Sequence, residues 1–210
     1  MLSIEELSKI NAPIVWSLHD MWPFTGGCHY NESCFNFKFS CGNCKVLGST
    51  NKKDLSNKIF LRKKKIYESI GNFTIVGLSK WMYESATDSM LFQNKNVINL
   101  PNPIDTNLYK PLKKNELRCL WSLPQNKKLV MFGAMSATSD PRKGFNELQK
   151  ALSSLRNKNV EIVIFGSSPP LIEPELGFKT HYVGRITDDV SLVSLYNSVD
   201  VMVVPSLQEN

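Results

Sequence analysis

Short apolar runs of strand length alternate with longer amphipathic stretches along the whole chain, and this alternation restricts the fold more than any single residue does. In the first half the strand-like runs are residues 13–18, 73–77 and 97–100; in the second they are 128–133, 160–166, 180–183 and 201–204. Helical periodicity occupies 55–70 and 79–91, then 143–156 and 188–198, with Asp54 and Ser79 placed as N-caps. Phe145, Leu148, Leu152 and Leu155 recur at i, i+3, i+7 and i+10, which marks one buried helix face. Strands separated by helices of this length run parallel and are covered on both faces. The expected class is therefore α/β, with two Rossmann-like lobes. Between 105 and 126 the pattern weakens around Pro111 and Pro124. This divides the chain into a partial amino-terminal lobe, 1–110, with a Cys-rich insertion at 21–51, and a partial carboxy-terminal lobe, 111–210.

The formal net charge is +6 and the sequence pI about 9.0, a bias toward anionic partners. Part of the excess is one block, Arg62, Lys63, Lys64 and Lys65, flanked by Ile59, Phe60, Leu61, Ile66 and Tyr67. As a helix, this block reads either as a solvated face over an apolar underside or as a peripheral contact with an anionic membrane face. No recognised nucleic-acid module is present, so nucleic acid is not an expected partner. No apolar run reaches the ~20 residues that span a bilayer, and the amino end lacks a signal-peptide pattern. The expectation is a cytoplasmic protein, with the inner membrane face as a second address.

The loop at 133–144 leaves a strand and enters a helical stretch, with Asp140 as expected N-cap and Pro141 in the first helical position. Arg142 and Lys143 then fall in the first turn, where cations oppose the helix dipole by roughly 0.3–1 kcal/mol each. A bound phosphate reverses that sign, because helix N-termini, Arg and Lys all favour anions. Gly133, Arg142 and Lys143 are accordingly the candidate phosphate-binding residues. His19 follows the first strand and is a candidate to move a proton or bind a hydroxyl. Arg185 follows another strand end and is a candidate nucleotide contact. Glu209 comes after the last strand and a Pro205-Ser206 turn, in the position where α/β ligands sit.

Cys28, Cys34, Cys41 and Cys44 form a C-x5-C-x6-C-x2-C set, leaving Cys119 apart. Four thiolates with a C-x2-C pair suit tetrahedral zinc, and a reducing compartment disfavours disulfides. The alternative is four reduced thiols in a folded loop. Residue 201 onward lacks the covering helix that a sheet strand normally receives, so the sequence reads as part of a longer protein; truncation at both ends and inactivity alone are what the family resemblance given next implies.

Together these segments resemble glycosyltransferase family 4 of the two-lobed GT-B fold, in its bacterial exopolysaccharide branch similar to colanic acid glycosyltransferases. The matching segments are Trp16-Ser-Leu-His-Asp-Met-Trp-Pro-Phe-Thr-Gly-Gly-Cys-His-Tyr30, Cys41-Gly-Asn-Cys44, Leu100-Pro-Asn-Pro-Ile-Asp105, residues 132–145, Phe165-Gly166 and residues 182–210. The resemblance implies transfer of a sugar, with retention, from a nucleotide-diphosphate donor to a saccharide or lipid-linked saccharide acceptor in surface-polysaccharide assembly. It implies Lys143 on the donor diphosphate, Glu209 on the donor sugar as the first Glu of an E-x7-E motif, and His19 near the reacting centre. No cofactor is required for such transfer, since preorganised cations can stabilise the departing diphosphate. Two departures stand out. Gly133-Ala134 replaces the family's Gly-Arg, which would leave the missing charge to Arg142, and Asn102-Pro-Ile-Asp105 replaces Asn-Gly-Val-Asp. The competing readings are a sugar-nucleotide epimerase and a zinc-stapled nucleotide-binding module without catalysis.

Overall fold

The computed structural model describes residues 3–133, 140–155, 159–166 and 176–209. They divide into two compact units, with the break after Pro103, a few residues ahead of the boundary expected at 110.

In the first unit, β1 (Ile14–Leu18), β2 (Phe73–Gly77) and β3 (Asn96–Asn99) form a parallel sheet in the order β1-β2-β3. Ile14 lies opposite Phe73 and Leu18 opposite Gly77. The segment between β1 and the first helix contains only short 3-10 turns, at Trp22–Phe24, Asn36–Lys38 and Lys45–Leu47. Helix α1 (Leu55–Ser69) starts where the Asp54 carboxylate accepts the Asn57 amide. Helix α2 (Lys80–Asp88) starts where the Ser79 hydroxyl accepts the Met82 amide. Both N-caps supply an acceptor to an otherwise orphaned first-turn N–H. The core between helices and sheet is aromatic: Phe24, Phe60, Tyr67, Phe73 and Phe92 are all buried, and the Tyr67 ring lies 5.4 Å from those of Phe73 and Phe92.

The basic block on α1 does not form one solvated face. The buried stripe of this helix is Ser56, Phe60, Lys63 and Tyr67, a run at i, i+4, i+7 and i+11, so the 3.6-residue period carries Lys63 inward. Arg62 pairs with Glu5, and Lys64 reaches the Met90 sulfur at 3.8 Å.

In the second unit, β4 (Lys128–Gly133), β5 (Val160–Phe165), β6 (Thr180–Gly184) and β7 (Val201–Met202) form a parallel sheet in the order β6-β5-β4-β7. Side chains alternate across it. Phe132, Ile162 and Ile164 pack with α4 (Phe145–Ser154) on one face. Leu129, Met131 and Val163 pack with α5 (Asp189–Ser198) on the other. Two-sided burial of this kind is what makes β4 and β5 nearly continuous apolar runs. Of the predicted face of α4, Phe145, Leu148 and Leu152 are buried, whereas Leu155 is 47% exposed because the helix has ended and Leu155 is extended.

The region expected to be an irregular linker contains a further helix, α3 (Lys114–Leu120). Its Arg118 is 3% exposed and donates to the carbonyls of Ser198, Pro124, Gln125 and Lys127 and to Asp200 Oδ2 at 2.7–3.2 Å. No described helix is long and apolar enough to cross a membrane.

Candidate functional site

The order β6-β5-β4-β7 fixes where a ligand can sit in the second unit. The chain winds outward from β4 through β5 to β6, then returns to the other side of β4 as β7. At such a reversal the connections leaving two adjacent parallel strands diverge, opening a crevice at their carboxyl ends. The connections concerned are the segment after β4, which holds Arg142 and Lys143, and the segment after β7, which holds Glu209.

The structure brings these segments together at three points. The Leu207 amide donates to the Arg142 carbonyl at 2.9 Å. Gly144 lies against the Pro205 carbonyl, where a Cβ would collide. Lys143 Nζ pairs with Glu209 Oε1, with the two side chains 19% and 36% exposed. A cation and a carboxylate therefore stand half-buried beside the helix start.

The local path differs from the expectation of a single helix beginning at Asp140. Pro141–Lys143 is a separate 3-10 turn, closed by Gly144 at φ +72°, and α4 begins only at Phe145. The left-handed Gly144 ends the turn and admits Pro205, so Arg142 and Lys143 precede the α-helix rather than lie in its first turn. They still face its positive end, an arrangement that an anion would relieve. Asp140 accepts the Arg142 amide at 3.0 Å and pairs with Arg142 Nη2 at 3.1 Å. The Arg142 amide, together with its guanidinium, holds the Asp140 carboxyl below the usual range. Gly133 has a packing reason to be glycine: a Cβ there would meet the Phe165 ring. Ala134, which stands where the resemblance expects arginine, lies outside the described residues. Arg185 is exposed just beyond β6, after Gly184 at φ +75°; β6 is separated from β4 by β5.

In the first unit, His19 is exposed directly after β1. Its neighbour Asp20 accepts the Trp22 amide at 2.7 Å and pairs with His29 Nδ1 at 2.8 Å. The Asp20–His29 pair escaped the sequence reading because nothing local in the sequence joins positions nine apart across an irregular loop.

The four loop cysteines are drawn together. Burial raises the Cys28 thiol, and the neighbouring thiols of Cys44 and Cys34 add to that rise. Burial, against a hydrogen bond from Gly26, pushes the Cys41 thiol up to about 11. Among the described residues, however, no three histidine, cysteine, aspartate or glutamate side chains converge in metal-ligating geometry. Cys119 is exposed, with Gln125 Nε2 3.3 Å from its sulfur.

Residues 126–210 match the family described as "Glycosyl transferases group 1". Among solved structures, sucrose-phosphate synthase from Thermosynechococcus elongatus is similar over 97% of this chain and 47% of that chain, with 16% identity and a TM-score of 0.63. The chain thus spans about half the length of that structure, and the likeness at this identity is one of fold. No curated protein matches. The two Rossmann-like units are accordingly of the GT-B fold class.

Proposed function

We propose that the chain is the site-bearing part of a retaining glycosyltransferase that moves a sugar from a nucleotide-diphosphate donor to a saccharide or lipid-linked saccharide acceptor in surface-polysaccharide biosynthesis. The observation that carries this reading is the Lys143–Glu209 pair at the carboxyl ends of β4 and β7. Lys143 would bind diphosphate oxygens, assisted by Arg142 and by the free amides opening α4. Glu209 would accept a hydroxyl of the donor sugar. As the diphosphate leaves, its growing negative charge is met by cations and amides already in place, which needs no metal and no covalent intermediate. Arg185 would contact the nucleotide. His19, on the acceptor-side unit, would serve the reacting hydroxyl, and Lys64 and Lys65 would contact an anionic membrane surface.

Thermal-shift titration against UDP- and GDP-sugars tests the donor half of the proposal. A ligand at 100 Kd stabilises by about 2.7 kcal/mol. We expect a shift for at least one donor, and its loss in Lys143→Ala. A shift that Lys143→Ala leaves intact would remove the donor assignment.

A further inference from the structure

We propose that the loop between β1 and α1 is a docking surface for an anionic lipid membrane. Phe35, Phe39, Val46 and Leu47 enter the interface, and Lys45, Lys52 and Lys53 meet the headgroups. In Phe35-Asn-Phe-Lys-Phe39 every second residue is phenylalanine. The middle one, Phe37, is buried with its ring 5.7 Å from that of Phe24. Its carbonyl accepts the Ser89 hydroxyl and the Met90 amide, both at 3.3 Å. That anchor leaves the flanking rings outside: Phe35 is 57% exposed and Phe39 71%. The second turn, Lys45–Leu47, buries no residue, and its Val46 is 80% exposed and Leu47 49%.

A single exposed apolar residue is ordinary on a protein surface, whereas several large ones on joined turns mark an interaction site. These two turns are joined through residues 41–44. Asn36 Nδ2 donates to the Gly42 carbonyl at 3.0 Å, and the Leu47 amide to the Cys44 carbonyl at 3.1 Å. The Asn43 amide donates to the Asn51 carbonyl at 3.0 Å, and a Cβ on Gly42 would collide with the Lys52 carbonyl. The apolar tips and the Lys52–Lys53 pair thus belong to one small unit.

Charge selects the occupant. Residues 33–53 contain Lys38, Lys45, Lys52 and Lys53 but no aspartate or glutamate. Lys38 is neutralised by Asp88 at 2.6 Å. Lys45, Lys52 and Lys53 are exposed and enter none of the ion pairs among the described residues. The next carboxylate along the chain, Asp54, is occupied by the Cys44 and Asn57 amides and the Ser56 hydroxyl. A second copy docked patch to patch would set lysine against lysine, which is repulsive. An anionic bilayer surface instead attracts the lysines and takes the apolar tips into its acyl boundary. Why such contact is useful rests on the function proposed above, since a lipid-linked acceptor would lie at that surface. The contact itself does not depend on it.

The test is co-sedimentation of the full chain with phosphatidylcholine vesicles, with and without phosphatidylglycerol. We expect binding to the anionic vesicles alone. The pair Phe39→Ser and Val46→Ser should weaken it roughly ten-fold or more, and so should the pair Lys52→Ala and Lys53→Ala. All four side chains are exposed, so the variants should keep the Tm of the wild type. Phe39→Trp should be quenched by brominated acyl chains more strongly than the wild-type tryptophans are. Absence of vesicle binding, or binding that survives both pairs of substitutions, would overturn the proposal. Binding lost with the lysines but kept by the apolar pair would reduce it to surface attraction and refute insertion. Self-association without lipid, abolished by the apolar pair, would reassign the patch to contact between copies. The donor-dependent thermal shift should be unchanged in every variant, so the membrane surface and the donor assignment fail separately.

Discussion

At Gly144 the backbone conformation and the site are the same problem. Its φ of +72° costs an L-residue roughly 1–2 kcal/mol, and a side chain would also displace the Pro205 carbonyl that clips the post-β7 segment to the Lys143 turn. Gly144→Ala should therefore lower stability by about 1–2 kcal/mol, measurable as a fall of several degrees in Tm, and should weaken donor binding at the same time. Loss of Tm without loss of donor affinity would mean that the clip does not shape the site. Glu209 gives a prediction of opposite sign. It pairs with Lys143, so it competes with any phosphate. Glu209→Gln should bind a bare nucleoside diphosphate a few-fold more tightly, while the extra affinity gained from an attached sugar falls. Calorimetry with the diphosphate and the sugar nucleotide side by side separates the two effects. Weakening of both in parallel would place Glu209 in a purely structural role.

The elements were legible where one local rule decided them. Asp54 and Ser79, the expected N-caps, each accept a first-turn amide, and the apolar runs of β2 and β4 became strands over their full predicted lengths. What stayed hidden depended on partners far along the chain. The charge of Lys63 reads as solvated or membrane-facing in sequence, whereas its position in the stripe with Phe60 and Tyr67 carries it inward. Helix α3 was passed over between two prolines because its anchor is Arg118, whose acceptors include Ser198 and Asp200. Removing that guanidinium takes the donor from four carbonyls, the Ser198 contact among them buried, and leaves Asp200 with Lys114 and the Leu129 amide alone. Arg118→Met should cost about 3–5 kcal/mol, read by urea unfolding. The same network sets an acid limit. Burial raises the Asp200 carboxyl, but Lys114, the Leu129 amide and Arg118 outweigh it and hold it at about 2. A carboxyl depressed in the folded state contributes stability above its ordinary unfolded range, and that contribution is lost as pH falls from about 4 toward 2. Asp200→Asn should be less stable than wild type at neutral pH and should flatten the decline over that window. An unchanged acid limb would assign it to other carboxylates.

At the scale of the whole molecule, the segment that matches a glycosyltransferase family and the segment that folds have different starts. The match begins at residue 126, whereas the second compact unit begins at Ile104. The residues between them form a strap along α5. Tyr109 donates to Asp189 at 2.9 Å, the Leu112 amide to Asn197 Oδ1 at 2.8 Å, and Trp121 Nε1 to Ser194 Oγ at 2.9 Å. Leu123 is 5% exposed in the cluster under α5, with Trp121 packed against it. Burying Leu123 contributes about 1.5–3 kcal/mol, and the partly buried Trp121 and the Arg118 network add to that. Typical domain stabilities are only 5–15 kcal/mol in total, so the strap is a large share of what holds the second unit together. A fragment of residues 104–210 should unfold in one cooperative transition and keep the donor-dependent shift in Tm. A fragment of residues 126–210 has every β-strand of that unit but exposes the underside of α5. It should bind a hydrophobic dye and melt without a sharp transition. If the shorter fragment instead melts cooperatively at the temperature of the longer one, the strap is dispensable, and the family's boundary rather than the contact boundary defines the folding unit.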